Sequence, residues 1–191
     1  MENEYKYLKY DWKYSKEDLK FCPRCGSPFI LQDLHIADQP QLVCDNCQFI
    51  FYLDPKLVVV ALVLFENKVL LLRRAENPSK GLWGLPGGHV ERGDDVFETI
   101  EREVREEAGA RVKVKDIIKT HSMSKYGTVQ LAFEATAENQ SLKTNIESFE
   151  AKYFGWGEIP WDELAFETTR DILSEFAYKN NINMENGANS D

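Results

Sequence analysis

The sequence has no stretch of about eighteen consecutive apolar residues, the length that a membrane-spanning helix requires. It also lacks an excess of basic residues, because 23 lysines and arginines stand against 32 aspartates and glutamates, for a net charge of −9. A broad basic surface that binds nucleic-acid phosphates is therefore not expected. The N-terminal stretch MENEYKYLKYDWKYSK is charged throughout and lacks the apolar segment of a secretory signal. We therefore expect a cytoplasmic protein that binds neither a membrane nor nucleic acid.

The chain divides by composition into four segments. Residues 1–17 alternate aromatic and charged side chains, which fits an edge strand, a docking arm or a disordered lead, and we interpret them as an arm packed on the domain. Residues 18–54 contain all four cysteines, and residues 55–180 alternate between strand and helix patterns. Residues 181–191 are polar and lack periodicity, so they are predicted to be a disordered tail.

Residues 55–180 carry the pattern of an α/β sandwich. Two apolar runs, 57–65 and 68–73, are joined by Glu66-Asn67, which predicts a β-hairpin. A helix is predicted from Asp94 or Asp95, either of which can cap it, to about Ala108, and Gly109 ends it. Strands near 111–119, 128–138 and 151–157 follow, and then a helix near 165–178 whose apolar face begins at Phe166. Strands with helices on either side in the chain imply an α/β sandwich.

The four cysteines form two CxxC pairs, and 18 residues separate the pairs. Each pair can supply two thiolates to one tetrahedral ion, so the spacing predicts a zinc ribbon. Two disulfides are the alternative, which a cytosolic protein disfavours. With all four positions taken by sulfur, the zinc has no open position for a substrate and is expected to be structural. The predicted ligands are Cys22, Cys25, Cys44 and Cys47.

Three glutamates, Glu103, Glu106 and Glu107, crowd one side of the first predicted helix. Like charges three or four residues apart destabilise a helix by roughly 0.2–0.5 kcal/mol per pair. At about 100° per residue, these glutamates border the apolar stripe of the helix rather than oppose it. Two interpretations remain open: a solvated charged face, or the ligands of a divalent ion, for which an all-oxygen set favours Mg²⁺ or Mn²⁺. The apolar stripe consists of Val96, Ile100, Val104 and Ala108.

The residues around these glutamates favour the metal interpretation. Gly87 and Gly88 let the backbone approach a ligand closely, with their carbonyls directed toward the start of the helix. Arg102 can hold Asp94 or a glutamate through paired hydrogen bonds and so orient the ligands. The arrangement suits a metal-bound polyphosphate that is attacked by a water whose pKa the metal lowers.

The spacing of these residues resembles the Nudix box. The box reads Gly, five residues, Glu, seven residues and Arg-Glu-aliphatic-any-Glu-Glu-any-Gly-aliphatic, and here Asp94 stands in place of the first glutamate before REVREEAGA. The resemblance implies a metal-dependent hydrolase with an α/β/α sandwich and a mixed sheet, preceded by the small zinc ribbon. The metal ligands it implies are Glu103, Glu106, Glu107 and a carbonyl of Gly87 or Gly88, with Arg102 orienting them.

The ribbon and the segment after the box point to a subgroup. The stretch CPRCG…CDNC…FYLDPK resembles the zinc-ribbon Nudix group that includes NADH pyrophosphatases, but HSMSKYGTVQ replaces the Pro-rich signature of those enzymes. The chain is more similar to FAD/ADP-ribose pyrophosphohydrolases, which implies cleavage of an ADP-linked diphosphate to AMP and a phosphorylated product. An NADH pyrophosphatase, an RNA-decapping enzyme and a nucleoside-triphosphate sanitising hydrolase are the alternatives. A homodimer is implied by the same resemblance.

Two alternatives outside the enzyme class are a nucleotide-sensing module and a zinc-ribbon adaptor for nucleic acid. A sensing domain without catalysis would normally show a broken glutamate set, and this set is whole. An adaptor would need a basic ribbon, whereas acidic residues outnumber basic ones in residues 18–54.

An additional carboxylate is expected from outside the box. Glu147 and Glu150 precede a predicted strand in the position where related enzymes supply such a group, and surface charge is the alternative interpretation. His89 and His121 are interpreted as polar loop residues rather than catalysts.

Five further residues are candidates for contacts with the substrate. Trp83, Tyr126 and Phe133 offer aromatic faces on which a purine can stack, although each is also a candidate for the core. Arg73 and Arg74 end the second strand of the hairpin and can reach phosphates, but only one of them can point inward because side chains alternate along a strand.

Overall fold

The computed structural model describes residues 15–35 and 38–183. Most of the predicted N-terminal arm and residues 184–191 of the predicted tail lie outside these ranges. The chain divides into two compact units, Met1–Pro55 with Ser124–Gly127, and Lys56–Met123 with Thr128–Asp191. No helix in the described ranges is long and apolar enough to cross a membrane.

The first unit contains a small antiparallel sheet of three strands. β1 (Phe29–Gln32), β2 (Gln41–Cys44) and β3 (Ile50–Phe51) lie in the order β1-β2-β3. The central strand β2 is buried along its whole length. A 3₁₀ turn at Lys16–Asp18 precedes the sheet, and Lys16 Nζ donates to Pro40 O at 2.7 Å.

The second unit is a mixed sheet with two helices. The central strands lie in the order β10-β5-β4-β9-β8, with β6 paired to β5 and β7 paired to β4. β4 and β9 are parallel and the other pairs are antiparallel. The strands are β4 (Lys56–Phe65), β5 (Lys68–Arg74), β6 (Trp83–Gly84), β7 (Gly87–His89), β8 (Val112–Met123), β9 (Thr128–Ala137) and β10 (Ser148–Phe154).

Each face of this sheet packs against one helix. Helix α1 (Val96–Ala108) buries Ile100, Val104 and Ala108 against one face, and helix α2 (Glu167–Lys179) buries Ile172 and Leu173 against the other. Alternation along the central strand β4 supplies both cores: Val59, Ala61 and Val63 face α1, whereas Val60 and Leu62 face α2. We call these two sides the α1 face and the α2 face. The predicted α/β/α sandwich with a mixed sheet is confirmed.

Several predicted boundaries differ from the structure, among them β10, which is Ser148–Phe154 rather than 151–157. Phe166 does not lie in the second helix but is its N-cap residue, at 37% exposure. β8 extends four residues beyond its predicted end near 119, so His121 lies on a strand rather than in a loop. Ile182, placed in the tail by its sequence, packs against the core of the α2 face.

Candidate active site

The ends of α1 set the positions of its glutamates. Asp95 is the N-cap, and its Oδ1 accepts from the backbone N–H of Phe97 at 2.8 Å and of Glu98 at 3.2 Å. Gly109 ends the helix with φ 66°, a left-handed conformation that glycine adopts without steric cost. The buried stripe of α1 holds the helix on the sheet. Glu103 and Glu107 lie at the edge of this stripe, so their side chains cannot turn fully into water.

Two glycines of β7 make room for these carboxylates. The backbone N–H of Gly87 donates to Glu107 Oε2 at 2.8 Å. A Cβ on Gly88 would lie 2.5 Å from Cδ of Glu103, and one on Gly87 would lie 2.1 Å from the carbonyl oxygen of Val59. A side chain at Gly87 would therefore clash with the backbone of β4, and one at Gly88 would have to displace the Glu103 carboxylate.

Burial perturbs two of the glutamates. Desolvation raises the pKa of Glu107 to about 8, opposed by the hydrogen bond from Gly87 and assisted by the negative charges of Glu103 and Glu147. Desolvation also raises the pKa of Glu103, with Arg102 opposing the shift and Glu106 adding to it. The charges of Glu106 and Glu147 thus act on Glu103, and those of Glu103 and Glu147 act on Glu107, while Glu106 itself is exposed. We call these four residues the acidic cluster: Glu103, Glu106, Glu107 and Glu147.

Arg102 lies beside the cluster and is held by Asp94. Both terminal nitrogens of its guanidinium group donate to the same Asp94 oxygen, at 3.1 and 3.2 Å, and one of them lies 3.6 Å from Glu103 Oε1. The aspartate that replaces the glutamate of the box therefore still reaches the arginine, although with a single oxygen. Arg102 stands where it can restrain the Glu103 carboxylate.

Strand alternation separates the two arginines at the end of β5. Leu70 and Leu72 belong to the core of the α1 face, so Arg74 lies on that face as well, and its charge lowers the pKa of Glu107. The Arg74 guanidinium lies 5.1 Å from the ring centroid of Phe166. Arg73 lies on the α2 face, where its Nε donates to the carbonyl of Gly81.

The two candidate carboxylates near β10, Glu147 before the strand and Glu150 within it, are also separated. Glu147 precedes the strand, and its backbone carbonyl accepts from Ala75 N at 2.8 Å, next to Arg74. Glu150 is the direct cross-strand neighbour of Arg73 and shares its face of the sheet. The structure therefore brings Glu147 and Arg74 to the acidic cluster and leaves Glu150 and Arg73 on the opposite face, which corrects their assignment to the site.

Two of the three predicted aromatic contacts are also corrected. Phe133 is fully buried in the core of the α1 face and packs edge-on against Phe97. Trp83 is 6% exposed and packs edge-on against Phe154. Both rings are core residues because each face of the sheet is covered by a helix. Phe133 points into the core of the α1 face, and Trp83 points into the core of the α2 face. Tyr126 lies in the 3₁₀ turn Ser124–Tyr126 and is half exposed, and its contact with the substrate stays a prediction.

His121 and Gln130 are polar residues whose placement the sequence did not indicate. His121 Nε2 lies 2.7 Å from Asp171 Oδ2 of α2, and Gln130 is 8% exposed on β9. A signal for Gln130 was available, because it occupies an inward position in the alternating run VQLAF, where an apolar residue is expected.

The four cysteines of the first unit converge. Their sulfur atoms lie within 4.8 Å of one another, and the four are free thiols. The closest pairs, Cys25–Cys44 at 3.4 Å and Cys22–Cys47 at 3.8 Å, are far longer than a disulfide bond. The N–H groups of Arg24 and Cys47 point to the sulfurs of Cys22 and Cys44, both at 3.4 Å. This set has the donors and the spacing of a four-thiolate zinc site, and it leaves no position for a substrate.

The acidic cluster fits a divalent cation. Among the described residues Glu107 forms no ion pair, and its carboxylate accepts one N–H in a largely dry position. A buried carboxylate in this state is either protonated or compensated by a cation. The oxygen donors around it are those that Mg²⁺ and Mn²⁺ prefer.

Comparison with known families identifies the class of protein that this fold and site define. The NUDIX domain family matches residues 55–175, and the Nudix N-terminal zinc-ribbon family matches residues 20–53. Because the first match covers more than half of the chain, this protein belongs to the Nudix hydrolase family and is an enzyme of that family. Members of the family generally need divalent cations.

Individual relatives carry more specific names. The chain is 32% identical over 140 residues to an ADP-ribose pyrophosphatase of Methanocaldococcus jannaschii, covering 71% of this chain and 82% of that one. It is 27% identical over 168 residues to the NAD-capped RNA hydrolase NudC of Vibrio parahaemolyticus, covering 83% of this chain but only 63% of that one. A crystal structure of a Nudix hydrolase from Nitrosomonas europaea superposes with a TM-score of 0.80 at 34% identity, covering 85% of this chain and 93% of that one.

Proposed function

We propose that the protein is a Mg²⁺- or Mn²⁺-dependent pyrophosphohydrolase that cleaves an ADP-linked diphosphate, ADP-ribose or FAD, to AMP and a phosphorylated product. The observation that carries the proposal is the acidic cluster packed on Gly87 and Gly88, with Arg74 at its edge. The name of the Methanocaldococcus relative, whose match spans most of both chains, supports the choice of ADP-ribose.

The reaction adds water across the P–O–P bridge, so that one phosphorus gains the hydroxyl group and the other phosphate leaves with the bridging oxygen. Glu103, Glu106 and Glu107 would hold the cations, and Arg102 would restrain Glu103. Cations held there would neutralise the diphosphate and would lower the pKa of the attacking water. Arg74 approaches the diphosphate from the end of β5 and stabilises the charge that develops on the leaving phosphate.

Glu147 is the proposed general base. It is the one carboxylate of the acidic cluster that lies outside α1, and its negative charge raises the pKa of both Glu103 and Glu107. A base must lie within hydrogen-bond reach of the water that it deprotonates, and a residue next to the ligands but outside the box can meet that requirement.

A substrate panel tests the proposal. We expect release of AMP from ADP-ribose or FAD with Mg²⁺ or Mn²⁺, and faster release than from NADH, as measured by product chromatography. Preference for NADH or for NAD-capped RNA would place the protein with the NudC-like relatives instead. Turnover of nucleoside triphosphates alone would assign it to the sanitising hydrolases.

A matched pair of variants tests whether the acidic cluster is the active site. Glu106→Gln should reduce turnover by about a hundredfold or more, because positioned charge around the diphosphate is the main catalytic resource. Glu101→Gln removes the same charge from the exposed side of the same helix and should leave turnover unchanged. Equal activity of the two variants would show that the reaction occurs elsewhere.

Zinc in the cysteine site, a cytoplasmic location and a homodimer belong to the same proposal. The homodimer rests on the resemblance to related enzymes alone. Light scattering of the purified protein distinguishes it from a monomer.

A further inference from the structure

Residue 94 is where this chain departs from the Nudix box, with an aspartate in place of the glutamate. The backbone at this position is fixed by its neighbours. The N–H of Asp94 donates to the carbonyl of Glu91 at 3.1 Å, and the next residue, Asp95, is the N-cap of α1. The reach of the carboxylate at this position is therefore set by the length of its side chain, which is one methylene shorter than that of a glutamate.

Asp94 forms an incomplete pair with Arg102. Both terminal nitrogens of the guanidinium group donate to Asp94 Oδ2, at 3.1 and 3.2 Å. The strongest arginine–carboxylate pairs are bidentate, with two parallel hydrogen bonds to two different oxygens. Here two nitrogens share one oxygen, and the guanidinium group has five N–H donors in all. Arg102 therefore retains donors and charge with which to interact with a second carboxylate.

The second carboxylate is that of Glu103. One of the same Arg102 nitrogens lies 3.6 Å from Glu103 Oε1, and the Glu103 side chain is 18% exposed. The backbone of β7 approaches the same carboxylate, because a Cβ on Gly88 would lie 2.5 Å from its carbon and 2.6 and 2.7 Å from its two oxygens. The Glu103 carboxylate is thus confined by the backbone of β7 and by the guanidinium group of Arg102.

This position of Arg102 has two opposite effects on a divalent cation at Glu103. It restrains the carboxylate, which favours binding. It also places a positive charge 3.6 Å from one Glu103 oxygen, so that a cation held by either oxygen of this carboxylate must approach that charge. Because both side chains are partly exposed, at 36% and 18%, solvent screens this repulsion without removing it.

We propose that Asp94 is a positioning residue that weakens the binding of Mg²⁺ or Mn²⁺ to the acidic cluster, because it leaves Arg102 shared between its own carboxylate and that of Glu103. A longer acid at this position would reach the guanidinium group with both oxygens and draw its charge away from Glu103. A neutral amide would attract the group less and leave more of its charge to Glu103. The inference rests on the proposed function, because a divalent cation at these glutamates is part of that function.

Binding of Mn²⁺ to the zinc-loaded, nucleotide-free protein tests the proposal without turnover, with the free ion measured by electron paramagnetic resonance. Asp94→Glu should bind Mn²⁺ about threefold more tightly than wild type, or better, because a bidentate pair holds the guanidinium charge farther from Glu103. Asp94→Asn should bind it about threefold more weakly, or worse, because the charge that competes for Arg102 is lost. The two variants should therefore move the affinity in opposite directions.

Two controls separate this effect from a change in the fold. Glu101→Asp alters an acid by the same single methylene on the exposed side of α1 and should leave the Mn²⁺ affinity unchanged. In an Arg102→Gln background the shared guanidinium group is absent, so that Asp94→Glu should no longer change the affinity. A variant that merely loosened the fold would weaken Mn²⁺ binding, whereas the proposal requires Asp94→Glu to strengthen it.

Equal or weaker Mn²⁺ binding by Asp94→Glu overturns this role of Asp94, as does an effect of that substitution that persists without Arg102. Release of AMP from ADP-ribose by wild-type protein is measured alongside. If the Mn²⁺ affinities follow the expected order but no ADP-linked diphosphate is hydrolysed, the proposed function fails and the role of Asp94 stands. If ADP-ribose is hydrolysed but the affinities do not follow that order, the role of Asp94 fails and the proposed function stands. Absence of Mn²⁺ binding in wild-type protein overturns both.

Discussion

Burial determines the protonation of Glu107. Its pKa of about 8 in the fold lies above the ordinary value of 4.5, so the metal-free native state retains a proton that the unfolded chain has lost. The stability that Glu107 contributes to the metal-free protein is therefore fully present below about pH 4.5 and is lost as the pH rises through about 8. Glu107→Gln should remove this part of the pH dependence. Urea unfolding with a chelator, at several pH values, measures it.

Stabilisation by added metal should depend on pH in the opposite direction. Added Mg²⁺ or Mn²⁺ should stabilise wild-type protein more at pH 8 than at pH 5, because a cation binds the carboxylate form. The Gln variant should gain much less. An identical pH dependence of wild type and Glu107→Gln would mean that Glu107 titrates normally in the fold.

Gly88 tests the close contact between backbone and carboxylate. In Gly88→Ala the new Cβ would lie 2.5 Å from the Glu103 carboxyl carbon, so that side chain must move. We expect metal affinity or activity to fall by about 10- to 100-fold, as for the loss of groups that orient metal ligands. Gly84→Ala meets only Ala165 Cβ, at 4.0 Å, and is the matched control. Normal metal-dependent turnover in Gly88→Ala would separate Glu103 from the metal site.

At the scale of elements, strand alternation decides which charged residues reach the active site. Arg74 and Glu147 lie with the acidic cluster, whereas Arg73 and Glu150 lie on the other face. Arg74→Gln and Glu147→Gln should each reduce turnover, by about a hundredfold for the arginine. Arg73→Gln and Glu150→Gln should reduce it little. Steady-state kinetics of the four variants checks the assignment, and a larger loss in the second pair would reverse it.

Phe166 has a related role at the start of α2. Its ring lies against the Arg74 guanidinium, a cation–π contact that limits where the arginine can point. The element boundary predicted from the sequence placed Phe166 inside the helix, because an apolar residue at helical spacing fits either position. The structure places it before the first turn, beside β5.

At the scale of the whole molecule, the two compact units have separate sources of stability. The first unit has a sheet of three short strands, and we expect it to depend on a metal because zinc-binding energy is folding energy in such domains. Elemental analysis should find about one zinc per chain. Cys44→Ser should abolish zinc binding and amide exchange protection in residues 18–54, while the amides of β4 and β9 stay protected. Full protection of the ribbon in zinc-free protein would contradict this.

Local patterns in the sequence were sufficient for several elements. Glu66-Asn67 predicted the hairpin, and both residues have positive φ in the turn, at 46° and 61°. The bounds of α1 were predicted from Asp94 or Asp95 and from Gly109 because capping is a local interaction, and the structure selects Asp95 as the N-cap. The convergence of the four thiols was also predicted from local patterns, because all four cysteines belong to two short CxxC motifs.

The sequence by itself determined the family, the order of the elements and the three glutamates, because each is written in residue types at fixed spacing along one helix or loop. Only the tertiary structure decided that Arg74 rather than Arg73 lies beside Glu107, that Glu147 rather than Glu150 joins the cluster, and that Trp83 and Phe133 are core. It alone placed Gln130 opposite His121. The physical reason is that these facts depend on which face of a sheet a side chain occupies and on which strand lies next to it. Both are set by long-range pairing and by burial beneath two helices, which short-range spacing does not encode.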